Sequence, residues 1–190
     1  MADGGGSVCV SFTAGSIMPP MTAPDLVAIS NYTVNAGQTI SFTASATDTH
    51  GNLPLTFNLP LAPAGASIGA SSGIFNWRAP VASAGTTQNV QVRVSDSGSP
   101  PLSDTQDFAI VINLLGAIAL NALSLSNASF QFQVSGPAGP DYILQGNTNL
   151  SNPGGWINLL TNTPVALPCD LIDTNAAAFS SRFYRVLLGP

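Results

Sequence analysis

The stretch Thr39-Ile-Ser-Phe-Thr-Ala-Ser-Ala46 decides the fold class of this chain, because apolar and polar side chains alternate along it without a break. The same alternation returns at residues 90–95 and 108–112. It places one face of each strand on a core and the other in water. Clusters of Gly, Pro, Asn and Asp separate these stretches at short intervals, as in β-sandwiches. Residues 39–112 are therefore predicted to form one continuous Greek-key sandwich.

The charged residues are few and point to the same class. The chain of 190 residues has four arginines, nine aspartates and no lysine or glutamate, and its net charge is −5. The absence of Lys and Glu removes two good helix formers, and Asp favours turns. Without a basic stripe, binding to nucleic acid or to an anionic membrane is not expected. A surface of hydroxyls and amides suits an extracellular module or a packed fibre.

Three segments are predicted: a leader strand with a Pro-rich linker (1–21), a first sandwich (22–114) and a smaller second β-rich unit (115–190). The strands expected in the first sandwich are Leu26–Ile29, Thr39–Ala46, Leu55–Leu59, Ile74–Trp77, Asn89–Ser95 and Gln106–Leu114. Those expected in the second unit include Tyr142–Gln145, Trp156–Leu160 and Arg182–Leu188. The large side chains predicted to be buried in the first core are Phe42, Trp77 and Val92.

The apolar run from Phe108 to Leu125 is borderline in length for a membrane span. Asn113, Gly116 and Asn121 interrupt it, and β-branched residues dominate its first half. Two strands joined near residue 116 are therefore predicted, with no membrane insertion.

An ordered set of short motifs connects the first unit to a known family. The motifs are Asn35-Ala-Gly-Gln38, Ala46-Thr-Asp-Thr-His-Gly-Asn-Leu-Pro-Leu-Thr-Phe57, Pro63-Ala-Gly-Ala-Ser-Ile68, Ser72-Gly-Ile-Phe-Asn-Trp77, Val94-Ser-Asp-Ser-Gly-Ser-Pro100 and Leu102-Ser-Asp104. With them the unit resembles the cadherin-like and dystroglycan-type immunoglobulin-like repeats of surface proteins. The resemblance implies adhesion, spacing or display outside the cell, with cell-surface partners or other copies of the chain.

The same resemblance raises calcium as a candidate ligand. Family members bind it between successive repeats through Asp-x-Asp pairs, and Asp48 and Asp96 match the positions of two such acids. His50 stands where a further acid would be, and no glutamate is present to act as a bidentate ligand. Because calcium takes six to eight oxygens, a complete site from this chain alone is not expected. The alternative, which the residues favour, is that both aspartates shape turns.

The second unit resembles a β-rich module that ends many large secreted bacterial proteins. The residues that carry the resemblance are Phe132-Gln-Val-Ser-Gly-Pro137, Tyr142-Ile-Leu-Gln145, Thr148-Asn-Leu150, Trp156, Asp173-Thr-Asn-Ala176 and Arg182-Phe-Tyr-Arg-Val186. This resemblance implies a location at the bacterial surface or outside the cell, and it implies no mechanism.

Catalysis is not expected, because the chain has no Lys or Glu and only one histidine, His50, in a turn. No catalytic residue or organic cofactor is predicted. Trp156 follows a Pro-Gly-Gly turn and could offer a sugar-stacking platform beside Tyr142. A carbohydrate-binding module of a secreted protein is therefore the alternative function, and a core position for Trp156 is the plainer interpretation.

The leader carries the functional hypothesis. Val8, Val10 and Phe12 form an apolar stripe on a strand too short to fold alone, so this strand must pair with a sheet edge in the same chain or in a neighbour. The stiff Pro19-Pro20 linker favours reaching outward. The leading hypothesis is an extracellular structural or adhesive protein, a fibre subunit that assembles head to tail through this strand.

Two further expectations concern the ends of the chain. Cys9 and Cys169 either form a disulfide, within one chain or between subunits, or remain two free thiols. Residues 1–6 lack the basic and apolar regions of a signal peptide. If the protein is secreted, the signal was removed or the chain is a fragment of a longer one.

Overall fold

The computed structural model describes residues 21–189, and almost all regular structure in this range is β. The strands of the first unit are β1 (Asp25–Leu26), β2 (Tyr32–Val34), β3 (Thr39–Thr43), β4 (Ala46–Thr47), β5 (Thr56–Leu61), β6 (Ser67–Ile68), β7 (Ile74–Arg78), β8 (Thr87–Ser95) and β9 (Ser103–Ile112). Those of the second are β10 (Ala119–Ser126), β11 (Ser129–Ser135), β12 (Asp141–Asn147), β13 (Ile157–Asn162), β14 (Cys169–Asp173) and β15 (Phe183–Gly189). Three short 3₁₀ helices span Val81–Ser83, Pro153–Gly155 and Ala176–Ala178.

The first unit is a sandwich of two main sheets, with strand orders β2-β9-β8-β5 and β3-β7-β6, and a short β1-β4 pair beside them. Strand β2 runs parallel to β9, with Tyr32 opposite Ile110, whereas β8 and β9 form a long antiparallel ladder. The alternating residues of these strands meet in the core, as the sequence predicts. The all-β sandwich class is confirmed.

Aromatic rings fill the centre of the first core. Phe42 stacks on Phe75 at 4.9 Å between ring centroids and on Tyr32 at 5.5 Å, and Phe108 meets Phe42 and Phe75 edge-on. Such offset and edge-to-face pairs add to the hydrophobic gain of burial.

The burial predicted for the first core is confirmed for two of its three large side chains. Trp77 is 2% exposed and Val92 is fully buried. Trp77 satisfies its indole N–H by donating to the carbonyl of Ala64 at 3.1 Å. Phe42 is only half-buried.

The predicted single strand Thr39–Ala46 is wrong, because the chain changes sheets in its middle. β3 ends at Thr43, and the backbone N–H of Ala44 donates to the carbonyl of Gly73. The carbonyl of Ser45 then accepts from Val27 as β4 joins β1. The side chains keep their period of two through the crossing, so alternation alone does not reveal the change of partner.

The second unit stacks two sheets of three strands, with orders β10-β11-β14 and β13-β12-β15. Its buried core is small and consists of Phe132, Val134, Tyr142, Leu144 and Leu171. The apolar run 108–125 is divided between two strands, since β9 ends at Ile112 and β10 begins at Ala119, which confirms the prediction of two strands. Among the described residues, no helix is long and apolar enough to cross a membrane.

Candidate functional site

The two calcium candidates lie in turns and make the bonds expected of turn-shaping aspartates. The carboxylate of Asp48 accepts from the backbone N–H of His50 at 2.6 Å. That of Asp96 accepts from the N–H groups of Gly98 at 3.2 Å and Leu102 at 2.7 Å. These side-chain to backbone bonds fix the local turns.

The expectation that these turns form no complete calcium site stays a prediction. Asp48 Oδ2, Asp96 Oδ2 and Asn52 Nδ2 are buried without a hydrogen-bond partner. Two carboxylates still fall short of the six to eight oxygens that calcium takes. Within residues 21–189, no group of three His, Cys, Asp or Glu side chains is placed to hold a metal ion.

A charged contact joins the two units. Arg78 of β7 donates two hydrogen bonds to Asp141 of β12, from Nη2 to Oδ1 at 2.7 Å and from Nη1 to Oδ2 at 3.1 Å. Its Nε also donates to the carbonyl of Gly37 at 2.6 Å, and the hydroxyl of Thr163 donates to Asp141 at 2.6 Å. The hydrogen bonds from Arg78 lower the pKa of the Asp141 carboxyl, against the opposing effect of burial.

Backbone glycines complete this junction, defined here as Gly37, Arg78, Gly139 and Asp141. Gly37 has φ +81°, and a Cβ at its position would collide with the carbonyl of Gly139. A Cβ on Gly139 would in turn lie 2.5 Å from the carbonyl oxygen of Ala36. The two turns therefore touch through bare backbone, which only glycine allows. The sequence marks both as turns, but it carries no sign that they meet.

A buried polar cluster lies inside the second unit. Arg182 pairs with Asp173 at 2.8 Å, with both side chains no more than 6% exposed. The hydroxyl of Tyr184 donates to the same carboxylate at 2.9 Å. Burial, followed by this bond, raises the pKa of Tyr184 to about 12. Arg182 also lies 4.2 Å above the ring of Phe179. Asp173 thus has two side-chain partners that offset the cost of burying its charge, whereas Nε of Arg182 is buried without a hydrogen-bond partner.

The outer surface of the sheet β13-β12-β15 carries a row of polar side chains, here called the polar face. Asn158 accepts from Gln145 at 2.6 Å, Gln145 accepts from Arg185 at 2.7 Å, and Arg185 lies 4.4 Å above the ring of Trp156. Tyr142 does not take part in the sugar-stacking platform considered for Trp156, because Tyr142 is fully buried and its hydroxyl donates to a backbone carbonyl. Trp156 itself is half-buried.

Three leucines of β10 lie on the inner face of their sheet, and residues 21–189 leave them exposed. Leu120, Leu123 and Leu125 stand opposite Val134, Phe132 and Phe130 of β11. Residues directly opposite in an antiparallel pair point to the same side of the sheet. The three leucines are nevertheless 47%, 60% and 71% exposed. They and the outer edge of β15 are called the open side below; nothing in the sequence distinguishes these leucines from core residues.

The predicted assembly residues Val8, Val10 and Phe12 lie outside the described residues, as does Cys9. Cys169 is half-buried on β14, and burial raises the pKa of its thiol. The disulfide and the leader strand stay predictions.

Comparison with known families identifies one model, described as "Putative Ig domain" (He_PIG), that matches residues 19–113, half of the chain. This match confirms the immunoglobulin-like character predicted for the first unit. A search of curated proteins found no match. The resemblance of the second unit to a bacterial module stays a prediction.

Solved structures share parts of the fold at low similarity. A nucleoside hydrolase-related hypothetical protein from Saccharophagus degradans is 22% identical over 49% of this chain and 26% of that chain, with a TM-score of 0.43. Human CDH23 EC21-23 is 18% identical over 60% and 45%, with a TM-score of 0.38. Drosophila N-cadherin EC1-4 is 14% identical over 65% and 37%, with a TM-score of 0.40. The chain thus spans less than half the length of each, and likenesses at this level identify no shared function.

Proposed function

Because the chain belongs to the He_PIG family of immunoglobulin-like domains, we propose that it is a non-catalytic extracellular protein with a structural or adhesive role. In this proposal it is a fibre subunit that binds other copies of itself head to tail through its N-terminal strand. A location at a bacterial surface follows from the resemblance of the second unit. The observation that carries the proposal is the junction, which makes the two units a continuous block.

The junction is suited to transmit force between the units. Arg78 offers a fork of two donors to Asp141 and so fixes direction as well as distance. The contact between Gly37 and Gly139 leaves no room for a side chain. A loose linker would let two units swing apart under load, whereas this contact resists both sliding and rotation.

The two ends of the block lie far apart. The second unit contacts the first through Asp141 and Arg78, beside the end of β9, where the Asn113 amide donates to Asn35. Met21 lies at the opposite end, since a Cβ on Gly98 would be 2.8 Å from its side chain. The nine residues of β8 run between these ends and span about 30 Å. A leader that emerges at one pole favours contact with the next copy.

The test compares the full chain with a leader variant. Sedimentation velocity and electron microscopy should show filaments or long oligomers for the full chain. Val10→Asp should abolish them, because the charge falls on the apolar stripe. Ser11→Asp adds the same charge to the other face of the strand and should preserve assembly. A full chain that stays monomeric at high concentration would overturn the fibre role.

A carbohydrate-binding role is the second candidate, favoured by the polar face. Its amides and guanidinium lie in one row beside Trp156, and such groups can bond to sugar hydroxyls. A glycan array tests this role, with Trp156→Ala and Asn158→Ala as loss-of-binding variants and Asp170→Ala on β14 as the control. Binding that survives both loss-of-binding variants would exclude the polar face as the site.

A further inference from the structure

The open side exists because the two sheets of the second unit are offset. Strand β13 contacts β14, and Tyr184 of β15 stacks on Phe130 at 5.1 Å and meets Phe132 at 4.9 Å on β11. The sheet β13-β12-β15 therefore covers β14 and β11 and ends there. Strand β10, the third strand of the sheet β10-β11-β14, extends beyond it.

Within residues 21–189, the leucines of β10 thus lack the covering layer that a core strand has. On the neighbouring strand, Phe132 is 3% exposed and Val134 is fully buried, although they point to the same side. Exposed apolar patches of this kind mark places where another chain segment packs.

Strand β15, the edge of the sheet β13-β12-β15 that lies nearest to β10, is also unpaired on its outer side within residues 21–189. Strand β15 bonds to β12 on one side, and within residues 21–189 no strand pairs with its other side. Its inward-facing Tyr184, Val186 and Leu188 are only half-buried, whereas Leu144 on the central strand β12 is fully buried. One more strand, added to β15, would satisfy the free backbone groups and cover β10 at once.

We infer that this strand is the segment 7–13 of a neighbouring copy, an inference that rests on the proposed fibre function. The segment has seven residues, as β15 has. Its apolar residues Val8, Val10 and Phe12 recur at every second position. Placed beside β15, these three side chains face the leucines of β10, while the residues between them point to water.

The donor is the next copy, because the leader of the same chain is too short. From residue 13 to Met21 the chain has eight steps, which reach about 28 Å when fully extended. The first sandwich alone takes about 30 Å along β8, and the open side lies in the second unit, beyond the junction. The same geometry repeated from copy to copy gives a head-to-tail contact that propagates as a filament.

A charge on the acceptor tests the surface. In the full chain, Leu123→Asp should raise the concentration needed for half-assembly by about tenfold or more, because the carboxylate is buried under the added strand. Ser124→Asp, on the opposite face of the same strand, should leave it within about twofold. Circular dichroism checks that both variants fold, and Leu123 is 60% exposed in the described chain, so neither should unfold it.

The two leader and acceptor variants distinguish the acceptor surface from the fibre role. If the full chain assembles, Val10→Asp blocks assembly and Leu123→Asp does not, the acceptor is elsewhere and the inference is overturned while the fibre role stands. If the full chain does not assemble, the fibre role itself fails, and the inference fails with it.

Cross-linking tests which copy donates the strand. In a full-length Cys9→Ser, Cys169→Ala background, Val10→Cys combined with Leu123→Cys should give, on oxidation, a ladder of covalent oligomers on a non-reducing gel. Ser11→Cys with Leu123→Cys should give several-fold less, since that side chain faces away. A disulfide that forms within single chains would overturn the assignment to a neighbour.

Discussion

The two units share the same alternating pattern and close their cores to different degrees. In the first, strands on both sheets cover one another, and Phe75 in the aromatic cluster is fully buried. In the second, three strands face three with an offset, and β10 presents Leu123 and Leu125 to solvent. Alternation therefore specifies only which side chains point inward. The count and alignment of strands decide whether anything covers them.

The largest effect should come from the sealed core. Trp77→Ala should lower the free energy of unfolding of the first unit by roughly 3–5 kcal/mol, the usual range for a buried aromatic. Trp156 then remains as the only tryptophan and reports the second unit alone. Denaturation followed by fluorescence and by circular dichroism should give one transition for each unit. Only the transition of the first unit, which circular dichroism detects, should move.

Trp77→Phe is the matched control and should cost less, because most of the volume is kept. A fluorescence transition that moves together with the dichroism transition would mean that the two units unfold as one body. It would contradict the expected difference in stability between their cores.

A smaller effect should come from the contact between the units. Gly37→Ala places a Cβ against the backbone of Gly139 at φ +81°, while Gly65→Ala meets open space at φ +82°. Both variants carry the strain of a left-handed residue, about 1–2 kcal/mol. The additional loss in Gly37→Ala, about 1 kcal/mol or more, measures the junction. Equal losses in chemical denaturation would show that the junction contributes nothing.

Alkaline pH should act on the second unit. The pKa of Tyr184 is raised from 10.0 to about 12 in the folded chain. Its contribution is therefore complete below pH 10 and is lost as the pH rises from 10 towards 12. Burial raises the pKa of Tyr142 as well, so both tyrosines act in the same direction. Tyr184→Phe should flatten the fall in melting temperature over this window; an unchanged slope would contradict the role of the buried cluster.

The smallest effect is expected from calcium. At millimolar concentration it should shift the melting temperature little, because the turns of Asp48 and Asp96 supply too few oxygens. Differential scanning calorimetry with and without chelator measures the shift. A rise of many degrees that Asp96→Ala removes would show that a complete site forms at this end of the first sandwich.

The prediction from sequence succeeds where the signal is local. The strands at 74–78, 87–95 and 103–112 are close to those expected, and Trp77 and Val92 lie in the core. It fails where the pairing partner changes, as at Ala44 between β3 and β4, and it does not find the short strands β2 and β6. Strands of two or three residues carry too little periodicity to be distinguished from loops.

The candidate sites divide in the same way. The turn geometry of Asp48 and Asp96 could be predicted, because an aspartate in a turn accepts from the backbone N–H two residues on. The ion pair between Arg78 and Asp141 could not, since 63 residues separate its partners. Arg78 is one of only four basic residues, and this scarcity is a local sign that it forms an ion pair.

The order of residues alone indicates the β class, the low charge and the alternation of apolar residues at positions 8, 10 and 12. These follow from residue type and a period of two, which are properties of neighbouring residues, whereas the immunoglobulin-like character of the first unit rests on its resemblance to a family. Only the folded arrangement shows that Gly37 meets Gly139 between the two units, and that residues 21–189 leave the leucines of β10 exposed. Both depend on how sheets are placed over one another, and residues distant in sequence set that placement through packing that no local pattern encodes.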